Sequence, residues 1–297
     1  MHHVFIVNPA AGKGRAVHMI EAIESRFRDF IQTFEISITD APGHATKLAK
    51  EAASGGDPVR IYSVGGDGTF NEIVNGTVDF PNVELGIIPC GSGNDAARYL
   101  YPVIDPNKLI RVLPASTSTA IDLGKLNDRY FVNISSIGFD AEVVLNSQHF
   151  KRFPLVSGPM SYWFSVFYTL LKLKKYKLKI SLDDNPPIDD EFLLSIFANG
   201  SYYGGGINAS PNSIMDDGLF DFSLIKSTTR RKVIKYLNAF KGGKIGNLSI
   251  QELNYFKGKK AVIESTVPFP VNIDGELSLE TRVTIEVLPK HIKVLIP

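Results

Sequence analysis

The sequence predicts an α/β N-terminal domain with a parallel sheet and helices on both faces, then a β-rich antiparallel C-terminal domain, with the active site in the cleft between them. Two observations carry this. The first third alternates short apolar runs with segments of helical period, and after about Ala120 the texture changes to alternating apolar and polar residues. The division falls at 1–121 and 122–287, and the tail of about 288–297 is expected to pack back on the first domain.

In the first domain the strand-like runs are Val4 to Val7, Phe34 to Ile38, Ile61 to Val64 and Leu85 to Ile88. Between them Val17, Ile20, Ile23 and Phe27 form one 3.6-residue stripe, and Ala45, Leu48, Ala49 and Ala52 another. Strand, helix, strand repeated in this way gives right-handed crossovers, and ligands of such sheets bind beyond the carboxyl ends of the strands. The second domain reads as strands at Tyr130 to Ile137, Lys177 to Leu182, Phe192 to Asn199, Leu219 to Ile225 and Val283 to Pro289. Helical stretches near Met160 to Lys174 and Arg230 to Lys241 interrupt them, the second with Val233, Leu237 and Phe240 on one face.

A chain of 297 residues, 44% hydrophobic and 21% charged, can bury a substantial core. Its net charge of +1, from 32 basic and 31 acidic residues, argues against a dedicated nucleic-acid binder. The single cysteine, Cys90, cannot form an internal disulfide, and the opening MHHVFIVNPAAG lacks a secretory n-region and cleavage site. A cytoplasmic protein is expected, with no role for His2 or His3. The stretch Phe153 to Leu173 is broken by Pro154 and Pro159 and diluted by serines, and its uncharged part falls near or below the roughly 20 apolar residues of a membrane span.

Three strand ends run into glycine-rich turns that open a helix: NPAAGKG at Asn8 to Gly14, GGDGTFNE at Gly65 to Glu72, and CGSGND at Cys90 to Asp95. Glycine lets the backbone turn sharply and aim helix N-terminal N–H groups at a phosphate. None of the turns matches a P-loop or a dinucleotide fingerprint. Two of them carry a carboxylate, Asp67 and Asp95, which phosphate would repel unless a metal ion lay between. The alternative is that each aspartate only caps its helix.

VNPAAG, GGDGTFNEIVNG and LGIIPCGSGNDAAR, in this order and spacing, resemble the diacylglycerol-kinase catalytic-domain family, which includes soluble bacterial lipid kinases and sphingosine kinases. The likeness continues through DLGKLNDRYFVNISSIGFDAEV, FANGSYYGGGINASPNSIMDDGLFD and VNIDGE. GGDG alone is shared with NAD kinases and phosphofructokinases, but the combination is not expected of them.

The resemblance implies a transferase that moves the γ-phosphoryl group of ATP to a hydroxyl of a lipid such as diacylglycerol, with Mg2+. It implies that ATP rests on Asn8, Pro9, Ala10, Ala11 and Gly12, on Thr39, on Gly65, Gly66, Asp67, Gly68, Thr69, Phe70 and Asn71, and on Ser92. The family more usually has threonine at the last position, and Ala96 stands where a bulkier apolar residue is common. A structural magnesium is implied at Asp217 with the main-chain carbonyls of Ile214 and Leu219, and a second, water-mediated, near Asp67, Asp95 and Asp122. Without the family, DDG is an ordinary turn signal. The resemblance places the catalytic base in IDGE, at Glu276 with Asp274 as the close second, and both carboxylates face the cleft if the segment is extended. A β-turn with two solvated acids is the alternative.

A lipid kinase must meet its substrate at a membrane surface. The segment KRFPLVSGPMSYWFSVFYTLLKLKKYKLK suits an interfacial helix, with Lys151, Arg152, Lys172, Lys174, Lys175, Lys177 and Lys179 facing anionic headgroups, at the inner face of the membrane. The same aromatics also suit the inner face of a core helix. Two other functions remain open on sequence: an NAD-kinase-like phosphotransferase and a nucleotide-binding regulator without catalysis. The acceptor lipid is open, and so is a homodimer through an edge strand.

Overall fold

The computed structural model describes residues 1–28, 33–150, 158–241 and 251–297. Lys151, Arg152, Phe153 and Pro154 lie outside the described residues, as do the side chains of Pro159, Met160, Trp163, Leu237 and Phe240.

The N-terminal part runs β1 (His2–Val7), α1 (Met19–Phe27), β2 (Phe34–Ile38), α2 (His44–Ala53), β3 (Val59–Gly65), α3 (Asp67–Thr77), β4 (Val83–Pro89), α4 (Asp95–Leu100) and α5 (Pro106–Val112). These four strands pair parallel in the spatial order β2-β1-β3-β4. The chain leaves β1 toward one side and returns through β3 toward the other, so the order reverses between β1 and β3. The loops after those two strands flank this switch point, where the fold leaves a crevice. Helix α5 carries its own start signal, which the apolar pattern did not reveal: Asp105 Oδ1 accepts from the N–H groups of Asn107 and Lys108, and Pro106 occupies the first turn.

The C-terminal part runs β5 (Thr117–Leu126), β6 (Arg129–Phe131), β7 (Ile134–Gly138), α6 (Phe139–Phe150), α7 (Gly158–Lys172), β8 (Tyr176–Leu182), β9 (Ile188–Ala198), β10 (Tyr202–Tyr203), β11 (Ile207–Asn208), β12 (Phe220–Lys226), α8 (Arg230–Lys241), β13 (Leu253–Gly258), β14 (Lys260–Ile273) and β15 (Glu276–Ile296). Pairings among these strands are antiparallel. Strand β15 joins the halves: it pairs with β14 and β5, and Val294 near its end pairs parallel with Leu85 of β4. Ile292, Val294 and Leu295 are thereby buried in the N-terminal core.

Two apolar clusters fill the C-terminal part. One lies among the strands around Phe131, Phe197, Phe220, Phe222 and Phe269. The other packs Phe139 and Val143 of α6 and Val233 of α8 on Leu194, Ile196 and Ile225.

One expectation is corrected, and two elements carry no pattern that the sequence reading could use. Tyr130 to Ile137 is two strands, because the N–H groups of Val132, Asn133 and Ile134 turn to the carboxylate of Asp274. Helix α6 has no clean stripe to read, since the polar Glu142 and Ser147 are buried along with Phe139, Ala141 and Val143. Strand β14 is obscured in sequence by Pro268 and Pro270, beside a register shift between Glu264 and Phe269.

Candidate active site

The three glycine turns meet by backbone contact. A Cβ on Gly91 would lie 2.4 Å from the Cα of Gly66, and one on Gly12, where φ is 59°, would lie 2.1 Å from the carbonyl oxygen of Cys90. Only glycine permits either approach. The N–H groups of Cys90 and Gly91 donate to Gly65 O at 2.7 and 3.0 Å, and Asn8 Nδ2 donates to Thr69 Oγ1 at 2.9 Å. Arg15, which the sequence reading passed over, bridges the first and third turns by donating to Gly12 O and Gly91 O. The signal was the basic residue directly after GKG. Burial pushes the Cys90 thiol up to about 11, which suits a packing residue rather than a nucleophile.

These turns line a cavity of about 450 Å³. Of the nucleotide residues expected from sequence, Asn8, Pro9, Ala10, Ala11, Gly12, Thr39, Gly66, Gly68, Thr69 and Ser92 line it. Gly65 and Phe70 are buried behind it, and Asn71 Nδ2 instead donates to Tyr130 O and Asp274 Oδ2. Asp67 lines a second cavity of about 630 Å³, which shares Ser92 with the first and adds Asp95, Asn133, Asp140, Tyr202, Asn272 and Asp274.

Asp67 Oδ1 accepts from the N–H groups of Asp95 and Ala96, at 2.6 and 3.3 Å. Burial, then the like charge of Asp95, raises the Asp67 carboxyl above its usual range. The Asp95 carboxylate is taken by Gly205 N and Gly206 N across the domain boundary, at 3.0 and 2.7 Å. Gly204, Gly205 and Gly206 all have positive φ, which accounts for the YYGGG run. Asp122 does not join this pair. It is fully buried, and its oxygens accept from Gly218 N and Lys290 N.

Asp274 and Gly275 form the two-residue turn between β14 and β15, with Ile273 opposite Glu276 and φ positive at both turn residues. The segment is therefore not extended, and its two acids part. Asp274 turns inward, accepting from Val132, Asn133 and Ile134 N–H and from Asn71 Nδ2. Burial outweighs these bonds and pushes its carboxyl up to about 6. Glu276 is half-exposed and ion-paired with Arg129. Asp140 also lies in the second cavity, bonded by Ser136 and Asn272, and burial raises it. Both lie in segments that carry the family likeness, SIGFDAEV and VNIDGE, but neither was singled out there.

Among the described residues no three His, Cys, Asp or Glu side chains converge on a metal position. A cation would be held by one or two carboxylates plus ligand oxygens, as Mg2+ usually is. Asp67 and Asp95 fit that arrangement, being adjacent acids that raise the demand for positive charge. Asp217 fits less well. Its Oδ1 accepts from Leu219 N and its Oδ2 pairs with Lys257 Nζ at 3.0 Å, so an ammonium already stands on that turn. Ile214 is exposed beside it.

Residues 2–126 match the family profile "Diacylglycerol kinase catalytic domain", and residues 133–296 match "YegS C-terminal NAD kinase beta sandwich-like domain". A diacylglycerol kinase of Staphylococcus haemolyticus is 29% identical over 98% of this chain and 87% of its own length. One of Mycobacterium tuberculosis is 28% identical over 98% and 94%. The crystal structure of a diacylglycerol kinase from Bacillus anthracis str. Sterne superposes with a TM-score of 0.73 at 26% identity, covering 100% of this chain and 97% of the other.

Two outcomes follow from this geometry. Gly91→Ala forces a methyl group onto Gly66, so it lowers stability by about 1–3 kcal/mol and weakens ATP binding at least tenfold, as thermal unfolding and calorimetry will register. The second concerns Asp274, which keeps its proton to about pH 6 in the folded protein and loses it near about 3.9 when unfolded. The folded state then binds more protons between those values, and stability falls as pH rises through them. The thermal midpoint of the wild type relative to Asp274→Asn is accordingly highest near pH 4 and declines until about pH 6.

Proposed function

Since the chain belongs to the family that joins a diacylglycerol kinase catalytic domain to a YegS C-terminal NAD kinase beta sandwich-like domain, we propose that it transfers the γ-phosphoryl group of ATP to a hydroxyl of a lipid such as diacylglycerol. The observation that carries this reading is the pair of cavities sharing Ser92. A nucleotide on the glycine turns would present its terminal phosphate toward the second cavity, where the acceptor has room. The turns bind and orient, since phosphoryl transfer is mostly a matter of positioning and charge stabilisation. Mg2+ held at Asp67 and Asp95 would supply the positive charge that phosphates beside two carboxylates need.

The proton of the acceptor hydroxyl goes to a carboxylate of the IDGE turn. Asp274 is occupied with the N–H groups of residues 132–134, so it holds the turn in place. Glu276 is the base in this proposal, with Arg129 orienting its carboxylate until the acceptor arrives.

Contact with the lipid surface falls to α7. Phe164, Phe167, Tyr168 and Leu171 recur at helical spacing on its outer side, with Phe167 61% and Leu171 54% exposed, while Ser165 and Thr169 are buried beneath them. Lys172 and Lys174 follow on the exposed end. No described helix is long and apolar enough to cross a membrane, so this stripe serves peripheral docking.

Magnesium-dependent transfer of labelled γ-phosphate into lipids in mixed micelles, with NAD as a soluble acceptor alongside, tests the function. Label in diacylglycerol is expected, with Glu276→Gln lowering kcat at least a hundredfold at unchanged ATP affinity. Label only in NAD, or none despite ATP binding, would overturn the proposal. For the docking face, Phe167→Glu with Leu171→Glu should lower sedimentation with anionic vesicles about tenfold and leave ATP binding unchanged.

A further inference from the structure

The segment that leads into β12 is fastened to the N-terminal part, and a lysine from the edge of the C-terminal sheet stands on it. Tyr99 OH of α4 donates to Ser213 O and accepts from Met215 N, and Asp122 N donates to Met215 O at 2.6 Å. Gly218 N returns a bond to Asp122 Oδ2. Met215 itself is buried in the N-terminal core. Residues 213–219 are therefore a joint by which the second domain grips the first.

Strand register delivers Lys257 to this joint. On β13 it lies directly opposite Asp221 of β12, and from there Nζ stands 3.0 Å from Asp217 Oδ2 and 3.8 Å from Asp221 Oδ2. Asp221 is only 1% exposed. Tyr255 OH donates to its Oδ1, while its Oδ2 is buried without a hydrogen-bond donor among the described residues. The neighbouring Ser213 hydroxyl is bonded to Ser210 Oγ instead. One ammonium thus serves two carboxylates. A divalent ion on Asp217 would have to displace it, because Asp217 Oδ1 already accepts from Leu219 N and Oδ2 holds Nζ. Two cations sharing one oxygen repel each other strongly at such short range. Expelling Lys257 would leave Asp221 as a buried charge with no cation, which is strongly unfavourable.

We propose that the Lys257 ammonium takes the position that the family likeness gives to a structural magnesium, so that the joint between the domains is held by the chain's own cation and needs no divalent metal. The residues around Asp217 do not fit the ion, in contrast to Asp67 and Asp95, which have no ammonium between them. The inference does not depend on the reaction. It holds for any acceptor and would survive a failure of the lipid-kinase reading.

Thermal unfolding of the full chain without nucleotide, in EDTA or in millimolar MgCl2 at matched ionic strength, tests it. The magnesium response of the wild type should be small and unchanged by Asp217→Asn, any part of it arising at Asp67 and Asp95. Lys257→Met leaves both acids without a cation and should lower the midpoint in EDTA by about 5 °C or more. That variant should regain stability in MgCl2, because the vacated carboxylates can then take the ion. Lys257→Arg keeps a cation on the strand and should lose less than half as much. A wild-type midpoint that rises several degrees with magnesium, the rise being absent in Asp217→Asn, overturns the inference without the lysine variants. So does a Lys257→Met midpoint equal to that of the wild type in EDTA, or one that is lowered yet indifferent to magnesium. If Lys257→Met yields no folded protein, the wild-type response and Lys257→Arg decide.

Discussion

Everything at the proposed nucleotide end depends on a contact between two glycines. Gly66 and Gly91 press backbone to backbone because neither has a side chain, and Gly12 lies against Cys90 for the same reason. This brings three loops from three separate strands around one cavity. The parallel order β2-β1-β3-β4 explains why those loops are available together: the switch between β1 and β3 leaves the crevice, and the glycines close its floor. Arg15 then ties the first and third loops across 76 positions of sequence.

The proposed acceptor end depends on buried and part-buried carboxylates used as backbone clamps. Asp274 gathers the N–H groups of residues 132–134, Asp122 those of Gly218 and Lys290, and Asp95 those of Gly205 and Gly206. Each clamp fastens one part of the chain to a distant one, and the Asp95 clamp crosses between the domains. Hydrogen bonds to ionised groups are among the stronger ones, but burial raises Asp67, Asp140 and Asp274 above the usual carboxylate range. The site thus holds acids at some expense in stability, a pattern typical of functional clefts.

The fold was legible where pattern and period agree. All four N-terminal strands appear within two residues of where apolar runs put them, and the stripes of α1 and α2 hold except at Val17, which precedes α1 and is exposed. The glycine turns were legible because their glycines have no other use. Legibility failed where a side chain overrides the pattern. Asp274 breaks a single expected strand into β6 and β7 from 140 residues away, and nothing local to Val132 signals it. The IDGE segment resembled a strand carrying two acids, but Asp-Gly supplies the positive φ of a tight hairpin, which sends Asp274 and Glu276 in different directions. Asp122 was grouped with Asp67 and Asp95 by family likeness, and in the fold it faces another loop. Asp140 stayed hidden because a lone aspartate opening a helix reads as a helix-end charge.

The central claim is that the glycine turns hold the nucleotide with its γ-phosphate directed at the second cavity. A crystal structure with a non-hydrolysable ATP analogue and magnesium tests it most directly. The account predicts adenosine in the cavity lined by Thr39 and Thr69, phosphates along Gly12, Gly66 and Ser92, and the terminal phosphate beside Asp67 and Asp95 at the opening to Asp140 and Asp274. A nucleotide bound elsewhere, or one whose terminal phosphate points away from that opening, would contradict it.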